Sequence, residues 1–260
     1  MTEYALVVGN STCPVADPRV DQPCYFDKFG ASREDLSKIA IKNHANGCLA
    51  PKSFLKRKIT EEDYFKARII SWPFGLYDCA AQSDGAAAAV ITRADLGKSF
   101  RDDYVLLKAI SIAVAEHPQR DPDFDFLAWK PTLYAAKDAY AQAGITEPFR
   151  QLDVVQLHDC FTLTELLSYE DLGLCKKGEA KDHVKSGTFA LTGELPVNTD
   201  GGLKTFGHPT GATGVRMIYE NTLQLQGRAG GRQVEGATLA LSHNIGGPPT
   251  TCGIAIVGMP

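Results

Sequence analysis

Residues 201–214 read Gly-Gly-Leu-Lys-Thr-Phe-Gly-His-Pro-Thr-Gly-Ala-Thr-Gly. Glycines at 201, 202, 207, 211 and 214 let the backbone approach a ligand closely and adopt positive φ. Pro209 restricts His208 to extended geometry and so aims its ring. A helix predicted from about Gly211 to Leu225 would turn free N–H groups and the positive end of its dipole toward whatever binds there. A dinucleotide-type glycine turn is the rival reading, but the spacing does not match Gly-x-Gly-x-x-Gly after a strand.

Working outward, Val154–Leu157 reads as a strand, followed by His158-Asp159-Cys160 and a helix from Phe161 to Leu172. Downstream, strands Thr238–Ser242 and Gly253–Val257 flank a turn-rich stretch from His243 to Pro249. His158, His208 and His243 thus each follow a strand or glycine turn, and strand carboxyl ends are where α/β proteins gather reactive groups. A single histidine is more often structural than catalytic. Three in equivalent positions, each beside Gly, Asn or Asp, favour catalysis. Cys160, at the mouth of a helix and near an imidazole, suits proton shuttling or nucleophilic attack. Cysteine is equally common as a small buried hydrophobe, so both readings of Cys160 stay open.

Further upstream, Tyr4 to Asn10 reads as a buried strand and residues 11–31 as irregular. Ser32 with Asp35 opens a helix toward His44 by capping-box logic, and a second helix is predicted from Thr60 to just before Pro73. The small-residue run Ser83–Ile91 leads into a strand, with another at Val105–Val114. Pro131 opens a helix that Gly144 ends. Alternating strands and helices imply a layered α/β fold, with residues 11–75 an excursion between its strands.

The 260 residues are 44% hydrophobic, enough for one large or two small cores. The net charge of −4 and scattered basic residues exclude a nucleic-acid footprint. The basic run Lys52–Lys58 is flanked by Glu61, Glu62 and Asp63 and reads as a solvated loop. In a protein handling coenzyme A it would be placed to meet the nucleotide phosphates. Seven cysteines without a Cys-x-x-Cys pair argue against a disulfide framework and against a zinc site. No apolar stretch spans a bilayer and no signal peptide precedes the first strand-like run, so a reduced, cytoplasmic protein is expected.

Four motifs occur in one order: His158-Asp159-Cys160-Phe161, Asn198-Thr199-Asp200-Gly201-Gly202, Gly207-His208-Pro209-x-Gly211-Ala212-Thr213-Gly214, and His243-Asn244-x-Gly246-Gly247. Together they resemble the thiolase superfamily, and more narrowly its sterol-carrier-protein-x type. The run Ser83–Ala87 is similar to the strand closing the first half of those proteins, and Tyr4–Gly9 to the strand after their nucleophile-bearing helix. The resemblance implies a layered αβα fold with mixed sheets, the C-terminal half complete over 101–260 and the N-terminal half incomplete over 1–100. It implies acyl transfer to or from coenzyme A by Claisen condensation or thiolysis, with acyl-CoA as substrate and no tightly bound cofactor or metal. His208 would activate the nucleophilic thiol, His158 would help to form the first oxyanion hole, often through a water, and Cys160 would shuttle the α-carbon proton. Gly246 and Gly247 would offer N–H groups to a second oxyanion hole, with His243 and Asn244 shaping that loop.

Departures from the family matter as much. None of Cys13, Cys24, Cys48 or Cys79 sits at a small-residue turn opening a helix after a strand, where the acyl-accepting cysteine belongs. Cys252, followed directly by Gly253 within a strand, does not match the family's Cys-x-Gly. The expectation is one subunit of a split enzyme in a homo- or hetero-oligomer, another chain supplying the nucleophile. An OB-fold zinc-ribbon partner, as some relatives have, is a further expectation. Alternatives are a truncated single-chain thiolase, a thiolase-like retro-aldolase and a non-catalytic acyl-CoA-binding or scaffold subunit.

Overall fold

The computed structural model describes residues 25–260 apart from 118, 119, 122, 123 and 248. The predicted strand Tyr4–Asn10 lies outside the described residues. The chain begins with α1 (Tyr25–Phe29), α2 (Arg33–Gly47) and α3 (Glu61–Lys66), then the strands β1 (Ile69–Ser71) and β2 (Phe74–Gly75). Next come α4 (Gly97–Phe100), β3 (Leu106–Val114), α5 (Lys130–Ala143), α6 (Pro148–Gln151), β4 (Val154–Leu157) and α7 (Thr162–Asp171). The elements α8 (Ala180–Ser186), α9 (Gly202–Phe206), α10 (Thr213–Leu225), β5 (Leu239–Gly246) and β6 (Thr251–Gly258) complete it.

Helix starts follow the capping chemistry. The Ser32 N–H donates to Asp35 Oδ2 at 2.9 Å ahead of α2. At α3, Thr60 Oγ1 accepts from the Asp63 N–H at 3.1 Å while the Thr60 N–H donates to Asp63 Oδ2 at 2.8 Å, a reciprocal pair. That second helix stops at Lys66 rather than running to Pro73. Ala67 turns extended, and Ile69–Ser71 pairs antiparallel with Phe74–Gly75 around Trp72-Pro73. A residue before proline is poorly suited to a helix, so a turn there is the better outcome.

The main sheet has strand order β3-β6-β5-β4, with β6 antiparallel to both neighbours and β4 parallel to β5. A single parallel bridge from Val155 to Val197 extends it beyond β4. Because side chains alternate across a strand, the sheet buries two different faces. Val155, Leu157, Leu241, Ile245, Cys252, Ile254 and Ile256 share a core with Ala135, Ala136 and Ala139 of α5 and Leu166 and Leu167 of α7. On the other face, Val154, Ala240 and Val257 pack with Leu225 of α10. This is the expected layered αβα arrangement with a mixed sheet.

Two sequence-based expectations fail for one reason, the availability of a pairing partner. The run Ser83–Ile91 leads into no strand; Val90 is 102% exposed and Ile91 80%. Alanine and glycine have little strand preference of their own, and among the described residues this run gains no ladder. The reverse holds after Ser242. Residues His243 to Gly246 continue β5, each paired in turn with Ile254, Gly253, Cys252 and Thr251, so the turn shrinks to the few residues after Gly246.

At the outer strand β3, Ala109 and Ser111 are buried, whereas Ile110, Ile112 and Val114 are 56%, 73% and 70% exposed. β3 is an edge strand among the described residues, and the amide of Gln142 on α5 sits at its outer side: its Nε2 donates to Ile110 O at 3.0 Å and its Oε1 accepts from Ile110 N at 3.1 Å. The asymmetry of this sheet is testable by urea unfolding. Ile254→Ala, in the α5-side core, should cost about 3 kcal/mol, and Ile112→Ala about 0.5 kcal/mol or less.

Candidate active site

The site begins where β4 ends. Asn198, held at a positive φ of 53°, accepts the Leu157 N–H on its Oδ1 at 2.9 Å and so fixes the chain as it leaves the sheet. His158 follows, 5% exposed, with Nδ1 2.7 Å from Asn244 Oδ1 on β5. An amide oxygen only accepts, so His158 carries its proton on Nδ1 and leaves Nε2 as an acceptor.

His208 comes from the turn between α9 and α10. Gly207 takes φ 105°, and a Cβ there would lie 2.4 Å from Ser83 Oγ, so only glycine fits. The His208 N–H donates to Ala81 O at 2.9 Å. Its Nδ1 is 2.8 Å from Thr213 Oγ1, and that hydroxyl donates its one proton to Pro209 O at 3.2 Å. The hydroxyl therefore accepts from His208 Nδ1–H, and Nε2 keeps its lone pair. The two imidazoles meet edge to face, centroids 5.1 Å apart and planes at 86°. Burial lowers the pKa of both, with an opposing pull on His158 from its Asn244 bond; for His208, burial and then His158 and Arg216 bring it to about 4. Both rings are neutral at physiological pH.

Cys160 sits two residues beyond His158, half-buried just before α7, with Sγ 3.6 Å from Thr164 Oγ1. Burial pushes its thiol up to about 11, with Thr164 and Lys204 pulling the other way. It is therefore a protonated thiol near neutrality rather than a thiolate.

A residue that the sequence marked only as part of a motif joins these pieces. Asp159 is fully buried, and its carboxylate accepts from Leu203 N at 2.6 Å, Lys204 N at 3.3 Å and Asn43 Nδ2 at 2.9 Å. It thereby caps α9, the one-turn helix that leads into His208, while standing between His158 and Cys160. A Cβ on Gly202 would come 2.5 Å from Asp159 Oδ1, so the glycine admits the carboxylate. Behind it, Glu165 accepts from Asn43 at 2.6 Å and Asn198 at 3.1 Å and pairs with Lys42 at 2.7 Å. The polar framework is shared by α2, α7 and the loops, and only its burial, which a sequence does not display, reveals it.

The structure brings His158 into contact with both His208 and Asn244, with Cys160 on the same loop as His158. It sends His243 elsewhere. One position before Asn244 on β5, His243 turns to the opposite face, fully buried, with Nε2 2.9 Å from Thr132 Oγ1 of α5. Burial brings its pKa down to about 3. Gly246 and Gly247 lie exposed at the end of β5, two and three residues past Asn244. No group of three or more His, Cys, Asp or Glu side chains among the described residues is placed to hold a metal ion. No described helix is long and apolar enough to cross a membrane.

The layered mixed sheet, with His158 at the end of β4 facing His208 on the turn between α9 and α10, is the arrangement of a thiolase-type protein. Residues 114–259 match the family described as Thiolase C-terminal domain-like, more than half of the chain, and the chain belongs to that family. It is 38% identical over 232 residues to an acetyl-CoA acetyltransferase of Methanothermobacter thermautotrophicus, covering 88% of this chain and 59% of that protein. It is 33% identical to sterol carrier protein 2 of Gallus gallus, covering 85% of this chain and 41% of that protein. Among solved structures, the "Ltp2-ChsH2(DUF35) aldolase" matches with a TM-score of 0.78 at 24% identity, over 90% of this chain and 60% of that one. The chain thus spans three fifths or less of the length of these relatives.

Two measurements probe the site. Asp159→Ala strands the donors of Asn43 and of the α9 N-terminus and should cost about 3 kcal/mol in urea unfolding. The second concerns acid. Above pH 6.5 the rings of His208 and His243 are neutral in folded and unfolded chains alike. Below it the unfolded chain takes up protons that the folded one refuses until about pH 4 and about pH 3, so stability falls as pH falls. The Tm should drop between pH 6.5 and 4, and His243→Leu should flatten that drop.

Proposed function

We propose that this chain is the acid/base part of a thiolase-type acyl-CoA acyltransferase, which carries out Claisen condensation or thiolytic cleavage of a 3-oxoacyl-CoA. The nucleophilic cysteine comes from another chain of a hetero-oligomer. The edge-to-face pair of neutral imidazoles, each with Nδ1 committed to a fixed acceptor, carries this reading. His208 Nε2 is free to take the proton of an incoming thiol and to return it later in the cycle. His158 Nε2, an acceptor, is suited to hold a water whose other hydrogen points at a thioester oxyanion. Cys160, held as a thiol, is poised to donate a proton to an α-carbon and to recover it in the reverse direction.

The N–H groups of Gly246 and Gly247 would serve the second oxyanion hole. Coenzyme A enters as part of the substrate, not as a resident cofactor. The solved Ltp2 aldolase is named with a second component, ChsH2(DUF35), which supports a partner chain here. That partner is the nucleophile-bearing subunit or an OB-fold zinc-ribbon protein. Retention of His158, His208 and Cys160 favours acyl transfer over a retro-aldol reaction.

The test is intact-mass measurement after incubation with acetyl-CoA. The isolated chain should gain no acetyl group, and co-expression with a nucleophile-bearing partner subunit should place one on a partner cysteine. His208→Ala should slow that acylation by about 10³-fold. A stoichiometric acetyl adduct on a cysteine of the isolated chain would overturn the shared-site reading.

A further inference from the structure

Lys204, the third residue of α9, is 1% exposed and among the largest fully buried side chains of the protein. Lysine is seldom buried to this extent unless its ammonium is well held. Here Nζ donates to Asp78 O at 2.6 Å and to Asp159 O at 3.1 Å. Both acceptors are main-chain carbonyls, so peptide dipoles hold the ammonium in place.

The two carbonyls belong to the two segments that frame the site. Asp78 precedes Cys79 to Ala81, a stretch whose Ala80 N–H donates to Cys160 O at 2.8 Å and whose Ala81 O accepts from His208 N at 2.9 Å. Asp159 lies between His158 and Cys160. Lys204 itself stands four residues before His208. One ammonium therefore ties together the segment under Cys160, the loop carrying His158 and Cys160, and the helix delivering His208.

The charges and dipoles around Cys160 come from several elements. The Asp159 carboxylate beside it disfavours a thiolate, and the Cys79 thiol faces it from segment 78–81. Thr164 Oγ1 and the Phe161 backbone, both at the start of α7, favour the thiolate, as does Lys204 from α9. His158 in turn sees Asp159, Arg216 and Lys204.

We propose that Lys204 is a positioning residue of this site: its ammonium, clamped between the carbonyls of Asp78 and Asp159, fixes the His158–Cys160 loop against His208 and supplies the positive charge against which Cys160 ionises. The proposal rests on Cys160 being a working thiol of the acyl-transfer site. Its consequence is electrostatic as well as structural, and the two can be separated. Lys204→Gln keeps an amide donor for the carbonyls and removes the charge; Lys204→Arg keeps a cation and several donors.

The experiment is iodoacetamide alkylation of Cys160 in the full chain at pH 8, followed by peptide mapping and repeated across pH. Circular dichroism melting runs in parallel. Lys204→Gln should slow Cys160 alkylation by about tenfold and shift its pH profile upward by about one unit, while Lys204→Arg stays near the wild-type rate. A folded Lys204→Gln with an unaltered Cys160 profile overturns the proposal. If Lys204→Gln does not fold, the arginine variant decides: a wild-type profile upholds the cation, and a tenfold slower Cys160 in a folded Lys204→Arg overturns it. The readout is thiol reactivity and not turnover. Failure of the role given to Cys160, seen as full turnover by Cys160→Ser in the reconstituted enzyme, is therefore distinguishable from failure of this proposal.

Discussion

The site depends on the carboxylate of Asp159. Fully buried and bound by donors from α2 and α9, it fixes the distance between the loop after β4 and the turn carrying His208. A buried carboxylate is tolerated only when its lone pairs are used, and here each oxygen has a donor. The sheet sets where each strand ends; the carboxylate sets how the two histidine-bearing loops face one another across that end. The edge-to-face imidazoles are a consequence of that tie.

The histidine pair also shows how neutral backbone-like partners select a tautomer. Asn244 and Thr213 each accept from an Nδ1–H, because an amide oxygen has no proton and the threonine proton is already committed to Pro209 O. Both rings thus present Nε2 lone pairs rather than N–H groups. Burial in this setting keeps them uncharged, and a cation in either ring would meet Arg216 and the other imidazole.

Much of this was legible in the sequence, for identifiable reasons. Ser32 with Asp35, Pro131 with Gly144, and the β-branched run at Val154 carry local signals that tertiary packing did not override. What remained hidden depends on partners far away in the chain. Whether Ser83–Ile91 forms a strand depends on a neighbour, and whether β5 continues past Ser242 depends on β6. That second point decided the fate of His243. Read as a turn, it looked equivalent to His158 and His208; read as a strand, alternation sends it and Asn244 to opposite faces. The burial of Lys204 likewise leaves no trace in a glycine-rich string where it looks like a solvated charge.

Gln142 gives the outer strand a property that its side chains alone would not. Among the described residues β3 is an edge strand, and the amide gives Ile110 one donor and one acceptor where its backbone would otherwise present both. An exposed run of isoleucine and valine with open hydrogen-bonding groups would template cross-chain ladders, the geometry that seeds fibrils. With Ile110 already satisfied, the outer ladder of β3 is interrupted at its middle rung. A strand seeking to add there would have to displace the Gln142 amide first, so the stickiness of the exposed isoleucines and valine is steered toward burial against a surface rather than toward growth strand by strand.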